Sequence, residues 1–199
     1  MWVSYPGAQL AGTKDLPVRP APRVLDIGCG IRRDPRATEG MDLWPSSGVT
    51  IVHDATRIPW PIEDDSYDGL VSHQFLEHVP QGSLDGVNLI FRIFDEMWRV
   101  LKPGGSLEFD TPHADSWDAN NDMTHQRLFT PWSFRELWVL EKNPLYPRKQ
   151  WEFVRMHVDR GYPGAPYVRR QLPRLDRVFT RLHFFRPRYI FCTLRKPSH

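Results

Sequence analysis

The stretch Arg23-Val24-Leu25-Asp26-Ile27-Gly28-Cys29-Gly30 constrains the fold of this chain more than any other. A short apolar run ends in an acidic residue and two glycines spaced G-x-G. Glycine adopts left-handed backbone without strain and leaves bare main chain for a close approach. At the carboxyl end of a first strand, such a turn lies where open α/β sheets bind nucleotide-like ligands. Alone it is also an ordinary strand exit, so its meaning depends on the residues downstream of it.

Downstream lies a series of short apolar runs bounded by turn residues. Residues 38–43, 49–53 and 67–72 read as strands two to four, and 106–110 as strand five. Short continuous runs of this kind suit a parallel sheet buried on both faces. Residues 84–101 read as a helix. Val87, Ile90, Phe91, Phe94, Met97, Trp98 and Leu101 form one apolar stripe, and Lys102-Pro103-Gly104-Gly105 stops it. Pro131 suits the first turn of a helix carrying Phe134, Leu137, Trp138 and Leu140. Residues 151–158 and 182–194 read as two further strands, and 159–181 as irregular. No crossover helix separates those two strands, which favours an antiparallel pair. The expectation is a doubly wound, mostly parallel α/β sheet in one domain spanning 1–199. Within it, 1–20 form an N-terminal cover, 22–110 a ligand-binding half, and 111–199 a loop, a helix and the final strands with a basic insertion.

A dinucleotide site would place a third glycine where this chain has Arg33, so that a full helix could point its amino end at a pyrophosphate. Room is also short. Residues 31–41 separate Gly30 from Asp42, strand two uses several of them, and Pro35 lies among them. One or two helical turns are the most that fits. A helix so shortened leaves one sheet face for residues 1–20 or 159–181 to cover.

The ordered series is more specific than the turn alone. It runs Val24-Leu25-Asp26-Ile27-Gly28-Cys29-Gly30, Asp42 after strand two, Asp54-Ala55 after strand three, Phe75-Leu76-Glu77-His78-Val79 after strand four, and Trp98-Arg99-Val100-Leu101-Lys102-Pro103-Gly104-Gly105 before strand five. This series resembles the class I S-adenosylmethionine-dependent methyltransferases, in particular the small single-domain group that opens L-D-x-G-C-G. The resemblance is close over 22–112 and looser to 140. It implies a Rossmann-like seven-stranded sheet with the last strand antiparallel, and S-adenosyl-L-methionine as cofactor. By the same resemblance, Asp26 meets the cofactor's amino group, and the Gly28-Cys29-Gly30 backbone lies against its methionine part. Asp42, with Leu43 beside it, meets the ribose, and Asp54 and Ala55 meet the adenine. Ser72, His73 and Gln74 face the methionine portion. Arg32 or Arg33 is placed to bind the cofactor's carboxylate through its fork of donors. The plainer readings stay open: Asp42 and Asp54 as turn residues, Glu77-His78 as a helix cap, the two arginines as solvated. The truncated helix departs from the commonest family pattern.

The loop at 110–130 contains Asp122-Met123-Thr124-His125-Gln126-Arg127-Leu128-Phe129-Thr130. Its D-x-x-H-x-R-x-F-T pattern resembles a stretch of small methyltransferases associated with sugar or cell-surface polymers. Following strand five, it should overhang the methyl group. His73, His113 and His125 are the candidate general bases, since histidine titrates near the working pH. Asp122 and His125 are equally well read as a pair that orders the loop. His113, Asp115, Asp118, Asp122 and His125 match no standard metal-ligand spacing, and no metal is expected.

The expected function is methyl transfer by direct displacement to a hydroxyl or amine of a small molecule or sugar. Charge distribution keeps a second reading open. Residues 1–141 hold 12 Lys and Arg against 21 Asp and Glu, whereas 142–199 hold 14 against 3. A basic region with interleaved aromatics suits an RNA acceptor. A third reading is a catalytically inactive, cofactor-binding partner protein. An N-P-P-Y signature for methylating DNA bases is absent after strand four. Cys29 and Cys192 form no framework, residues 1–6 do not read as a signal peptide, and no apolar run reaches membrane-span length. The expected setting is the cytoplasm, without membrane association. The acceptor and the oligomeric state are not legible.

Overall fold

A computed structural model describes residues 21–138, 149–161, 174 and 186–198. The strands are β1 (Val24–Ile27), β2 (Glu39–Asp42), β3 (Ile51–Val52), β4 (Tyr67–His73), β5 (Ser83–Leu84), β6 (Val87–Asn88), β7 (Leu101–Pro112), β8 (Glu152–Gly161) and β9 (Arg186–Arg195). The helices are α1 (Leu89–Val100) and α2 (Trp117–Asn121). Seven strands form one sheet in the order β3-β2-β1-β4-β7-β9-β8. The first five in that order run parallel, and β9 is antiparallel to both β7 and β8. This is the mostly parallel seven-stranded α/β sheet that the sequence implied, with its last strand reversed. No helix among the described residues is long and apolar enough to cross a membrane.

The core lies between the sheet and α1. Ile90, Ile93, Phe94, Met97 and Val100 face inward from the helix onto Leu25, Ile27, Leu70, Leu107 and Phe109. Phe94 meets Phe109, Phe134 and Trp151 edge-on at 5.6, 6.4 and 6.5 Å between ring centroids, a preferred arrangement of aromatic quadrupoles. On the opposite face of β7, Glu108 is reached by Arg36 at 2.8 Å and by Arg155 at 3.9 Å. Residues 1–20, one of the covers expected for that face, lie outside the described residues. So does nearly all of the other candidate, 159–181.

Several boundaries move, for local reasons. α1 begins at Leu89 rather than 84, because Asp85 and Gly86 adopt φ of 52° and 76° and turn a β5–β6 hairpin. Val87 belongs to that hairpin, and the Asn88 side chain caps α1 by accepting from the Ile90 N–H at 3.3 Å. β7 begins at Leu101, directly after α1, rather than at 106, although pairing with β4 is irregular until Ser106 faces Gly69. The segment after Thr130 is a 3-10 helix, Pro131–Leu137, with Phe134 and Leu137 buried. The 159–181 stretch is overlapped by β8, which runs to Gly161.

The link from β1 to β2 departs most. It contains turns and no helix. Asp34 accepts from the Arg36 N–H at 2.8 Å, and its carbonyl accepts from the Ala37 N–H at 2.9 Å. That local pairing, with Pro35 between, closes a turn in place of a helical ladder.

Candidate functional site

The glycine turn is fixed by main chain and by β2. Gly28 and Gly30 take φ of 72° and 54°, and the Gly28 N–H donates to the Met41 carbonyl at 2.8 Å. The Gly30 N–H donates to Asp42 Oδ2 at 2.8 Å, and the Trp44 N–H to Asp42 Oδ1 at 3.2 Å. Asp42 therefore orders the turn, and each oxygen keeps acceptor capacity for a second donor. Leu43 beside it is half exposed. The Cys29 thiol points inward, toward the Gly48 carbonyl at 3.7 Å. Burial pushes it up to about 11, so Cys29 offers the site backbone rather than a nucleophile.

Asp26 is 2% exposed. Its Oδ2 accepts from the Asp34 N–H at 2.7 Å, while its Oδ1 is buried with no protein partner. Burial raises its pKa. Ser72 is fully buried and donates to the Ile27 carbonyl at 3.1 Å, pinning β4 to β1. Asp54 folds back on its own turn, accepting from the Thr56 N–H at 2.9 Å and the Thr56 hydroxyl at 2.7 Å. The Ala55 carbonyl accepts from Trp60 Nε1 at 2.9 Å. Arg32 is exposed. Arg33 lines a depression of about 280 Å3 with Ile31, Asp34 and Ser47, and its charge acts on Asp26.

The three candidate bases part company. His73 is clamped between carboxylates: its Nδ1 pairs with Asp110 Oδ1 and its Nε2 with Asp34 Oδ2 at 3.1 Å. Asp110, chiefly, and then Asp34 raise its pKa to about 9. A ring so held is protonated at neutral pH and donates rather than accepts a proton. His113 is buried, and its Nδ1 accepts from the Asp115 N–H at 3.1 Å. His125 lines a cleft of about 640 Å3 with Gln74, Glu77, His78, Trp117 and Asp122.

That cleft is built by strapping two distant segments together. The N–H groups of Gln126 and Arg127 donate to the Glu77 carbonyl at 2.7 and 3.1 Å. Arg127 donates from its side chain to the carbonyls of Val79 at 2.9 Å and Pro80 at 2.6 Å. Asp122 caps Thr124 at 2.8 Å, and Phe129 enters the core. The D-x-x-H-x-R-x-F-T pattern is thus largely a fastening. Asp118 lines the same cleft as Asp122 and His125, whereas His113 and Asp115 do not. Asp118 is held there by an ion pair with Arg188 at 3.0 Å. Sequence reasoning missed Asp34 and Asp110 as partners of His73. It placed Glu77 and His78 in the ordered series and left a helix cap open for them, and Glu77 is a buried carboxyl that burial pushes up to about 7.

The family model described as "Methyltransferase domain" matches residues 25–109, from β1 through the middle of β7. Over those residues the chain resembles a methyltransferase domain. No curated protein matches the chain significantly. Solved structures share the domain's fold. One is a putative methyltransferase from Bacillus halodurans, 15% identical at a TM-score of 0.54, covering 91% of this chain and 95% of that one. Another is an S-adenosylmethionine-dependent methyltransferase from Mesorhizobium loti, 18% identical at 0.54, covering 91% and 94%. A third is phosphoethanolamine N-methyltransferase 2 from Haemonchus contortus, in complex with S-adenosyl-L-methionine. It is 17% identical at 0.54, covering 91% of this chain and 50% of that one. The glycine turn, Asp42 and the end of β4 lie side by side as a rim at the carboxyl ends of the adjacent parallel strands β1, β2 and β4, and Gln74, directly after β4, lines the cleft.

Proposed function

We propose that this chain is an S-adenosylmethionine-dependent enzyme that passes a methyl group to a hydroxyl or amine of a small molecule or sugar. The observation that carries the reading is the junction of rim and cleft at Gln74. A turn of bare backbone with an unpartnered buried Asp26 oxygen opens beside a cleft of about 640 Å3, a volume suited to a small acceptor. Asp26 Oδ1 is the acceptor for the cofactor's amino group, and the Asp42 carboxylate for its ribose hydroxyls. Leu43, Asp54 and Ala55 flank the adenine, Ser72 fixes the strand end, and Arg33 lies within electrostatic reach of the carboxylate. The sulfonium supplies an electrophilic methyl group when the cofactor is bound. The chain then has to align an acceptor atom with the carbon–sulfur bond and exclude water.

His125 is the candidate base placed against the acceptor. Protonated His73, at the end of β4, serves instead as a cationic donor that fixes Asp34 and Asp110. His113, outside the cleft lining, orders its own turn. A structural neighbour from Haemonchus contortus holds phosphomonomethylethanolamine, so small amines belong in the acceptor panel beside sugar nucleotides and glycans. RNA belongs there because residues 142–199 hold 14 Lys and Arg against 3 Asp and Glu, with aromatics between them.

The test has two steps. Melting shifts with S-adenosylmethionine and with NAD are compared first, and only the former is expected to raise the transition. Methyl-labelled cofactor is then offered with each acceptor class. A shift with NAD alone overturns the cofactor. Transfer to RNA alone moves the acceptor to the basic region. Cofactor binding without transfer to any class leaves the inactive-partner reading.

A further inference from the structure

Glu77, His78 and His125 each offer a ligand atom, and these atoms all lie within 4.8 Å of one another. No other group of three or more such donors gathers among the described residues. Two of the donors come from the 3-10 turn Leu76–His78, and the third from a loop nearly fifty residues later. The backbone strap from Gln126 and Arg127 to the Glu77 carbonyl holds them together.

The second observation is the state of Glu77 itself. The residue is 1% exposed. Its Oε2 accepts from the Thr111 hydroxyl at 2.9 Å, while its Oε1 is buried without a protein partner. A buried acceptor without a donor is costly, and native structures satisfy nearly all of them. A cation beside Oε1 removes that cost.

The rings are oriented in the way metal-bound histidines are. His125 Nδ1 lies 3.1 Å from the Ala119 carbonyl, which only accepts, so the proton sits on Nδ1. His78 Nδ1 lies 3.1 Å from Thr124 Oγ1, whose own hydrogen is directed to Asp122 Oδ1 at 2.6 Å. That ring, too, donates from Nδ1. Both Nε2 atoms are therefore left with a lone pair. A carbonyl and a hydroxyl–carboxylate relay fixing the far nitrogen is the outer-shell pattern of histidine metal sites.

We infer that Glu77, His78 and His125 form a site for a divalent first-row transition ion of the zinc type. Two neutral imidazoles and one carboxylate match its ligand preference. Ligand bonds of about 2.1 Å set the donors of a tetrahedral ion about 3.4 Å apart, so the donors draw together by up to about 1.4 Å on binding, a movement open to the exposed His78 ring. All three groups line the open cleft. A fourth coordination position is thus available to water or to an acceptor hydroxyl, as in sites that activate such groups. Ion binding stands apart from the methyl-transfer reading, but with an ion in place the His125 Nε2 lone pair is a ligand, so the bound ion replaces His125 as the group that activates an acceptor, and only that use rests on the reading.

Full-length protein stripped with chelator and dialysed is titrated with Zn2+ and, separately, with Co2+. One equivalent of zinc is expected to bind in the micromolar range or tighter, with cobalt giving visible d–d bands of a four- or five-coordinate ion. His78→Gln, on an exposed ring that does not threaten folding, is expected to weaken binding about a hundredfold, since outer-shell losses alone reach about 10–100-fold. His125→Gln and Glu77→Gln should abolish the cobalt bands, whereas His157→Gln on the edge strand β8 leaves them intact. Absence of stoichiometric uptake overturns the site. So does uptake that His78→Gln and His125→Gln leave unchanged. The melting shift with S-adenosylmethionine is measured on the same stripped protein, so that failure of the cofactor reading is seen separately.

Discussion

The position that a Cβ would take on Gly28 lies 2.6 Å from Cδ2 of Phe75. With a φ of 72° as well, Gly28→Ala meets both a steric and a backbone penalty. A loss of about 1–3 kcal/mol in stability is expected, together with loss of the S-adenosylmethionine melting shift. In a double-mutant cycle with Phe75→Ala, urea unfolding should show the two substitutions costing less together than their sum.

The Asp42 carboxylate accepts from the N–H groups of both Gly30 and Trp44, and in the proposed cofactor site it also meets the ribose. Asp42→Ala removes two backbone hydrogen bonds to a charged group, each worth up to about 1.5–3 kcal/mol. It should also weaken cofactor binding about tenfold or more, as read by calorimetry. Asp42→Asn, which keeps one acceptor, should fall between.

His73 makes stability depend on pH. Its folded pKa of about 9 lies above the ordinary 6.5, so between those values the folded chain binds a proton that the unfolded chain releases. The contribution is complete below about pH 6.5 and is lost as pH rises through 9. Urea midpoints should decline over that window in the wild type and flatten in His73→Gln. A profile that rises with pH across the window, equally in both proteins, would falsify the clamp.

The two carboxylates on His73 are unequal. Asp110 is the larger cause of its raised pKa and Asp34 the smaller. Ring titration by NMR should therefore show a greater fall in Asp110→Asn than in Asp34→Asn. Asp34, held well below the usual carboxylate range by Arg36, adds stability at neutral pH. That contribution is lost on acidification, as Asp34 protonates.

Arg99 joins α1 to the loop before β4. It meets Glu96 at 2.7 Å, Asp64 at 2.7 Å and the Ile62 carbonyl at 2.7 Å, while Glu96 accepts from the Trp60 N–H at 2.8 Å. Arg99→Ala leaves a buried carboxylate without its cation and should cost about 3 kcal/mol. Arg99→Lys, which lacks the fork, should recover only part of it. Thermal or urea unfolding reads both.

The sheet was legible because Val24–Ile27 and Tyr67–Val71 are short, mostly apolar runs between turn residues, and the reversed final strand agrees with a sequence that signals no crossover helix between 158 and 182. The glycine turn was legible because left-handed φ leaves a mark in composition. The hairpin before α1 was masked by Val87, which fits a helical stripe as well as a strand. The clamp on His73 was hidden for a different reason. Asp34, His73 and Asp110 are far apart along the chain, and only the register of β4 against β7 and the fold of the β1–β2 link bring them together. Glu77-His78 and His125 were each visible as motif residues. Their adjacency depends on main-chain hydrogen bonds, which no side-chain pattern encodes.

The helix-free passage from β1 to β2 has an outcome for how the cofactor end behaves in solution. An ordinary helix there would be seated by apolar burial, which salt does not loosen. Here the segment is fastened largely by Asp34, Arg36, His73 and Glu108, with the Arg36 side chain 53% exposed. Screening reaches such contacts at ordinary ionic strength. The mouth of this domain is therefore sensitive to its ionic medium, tightening in dilute buffer and slackening in brine while the sheet beneath stays unchanged.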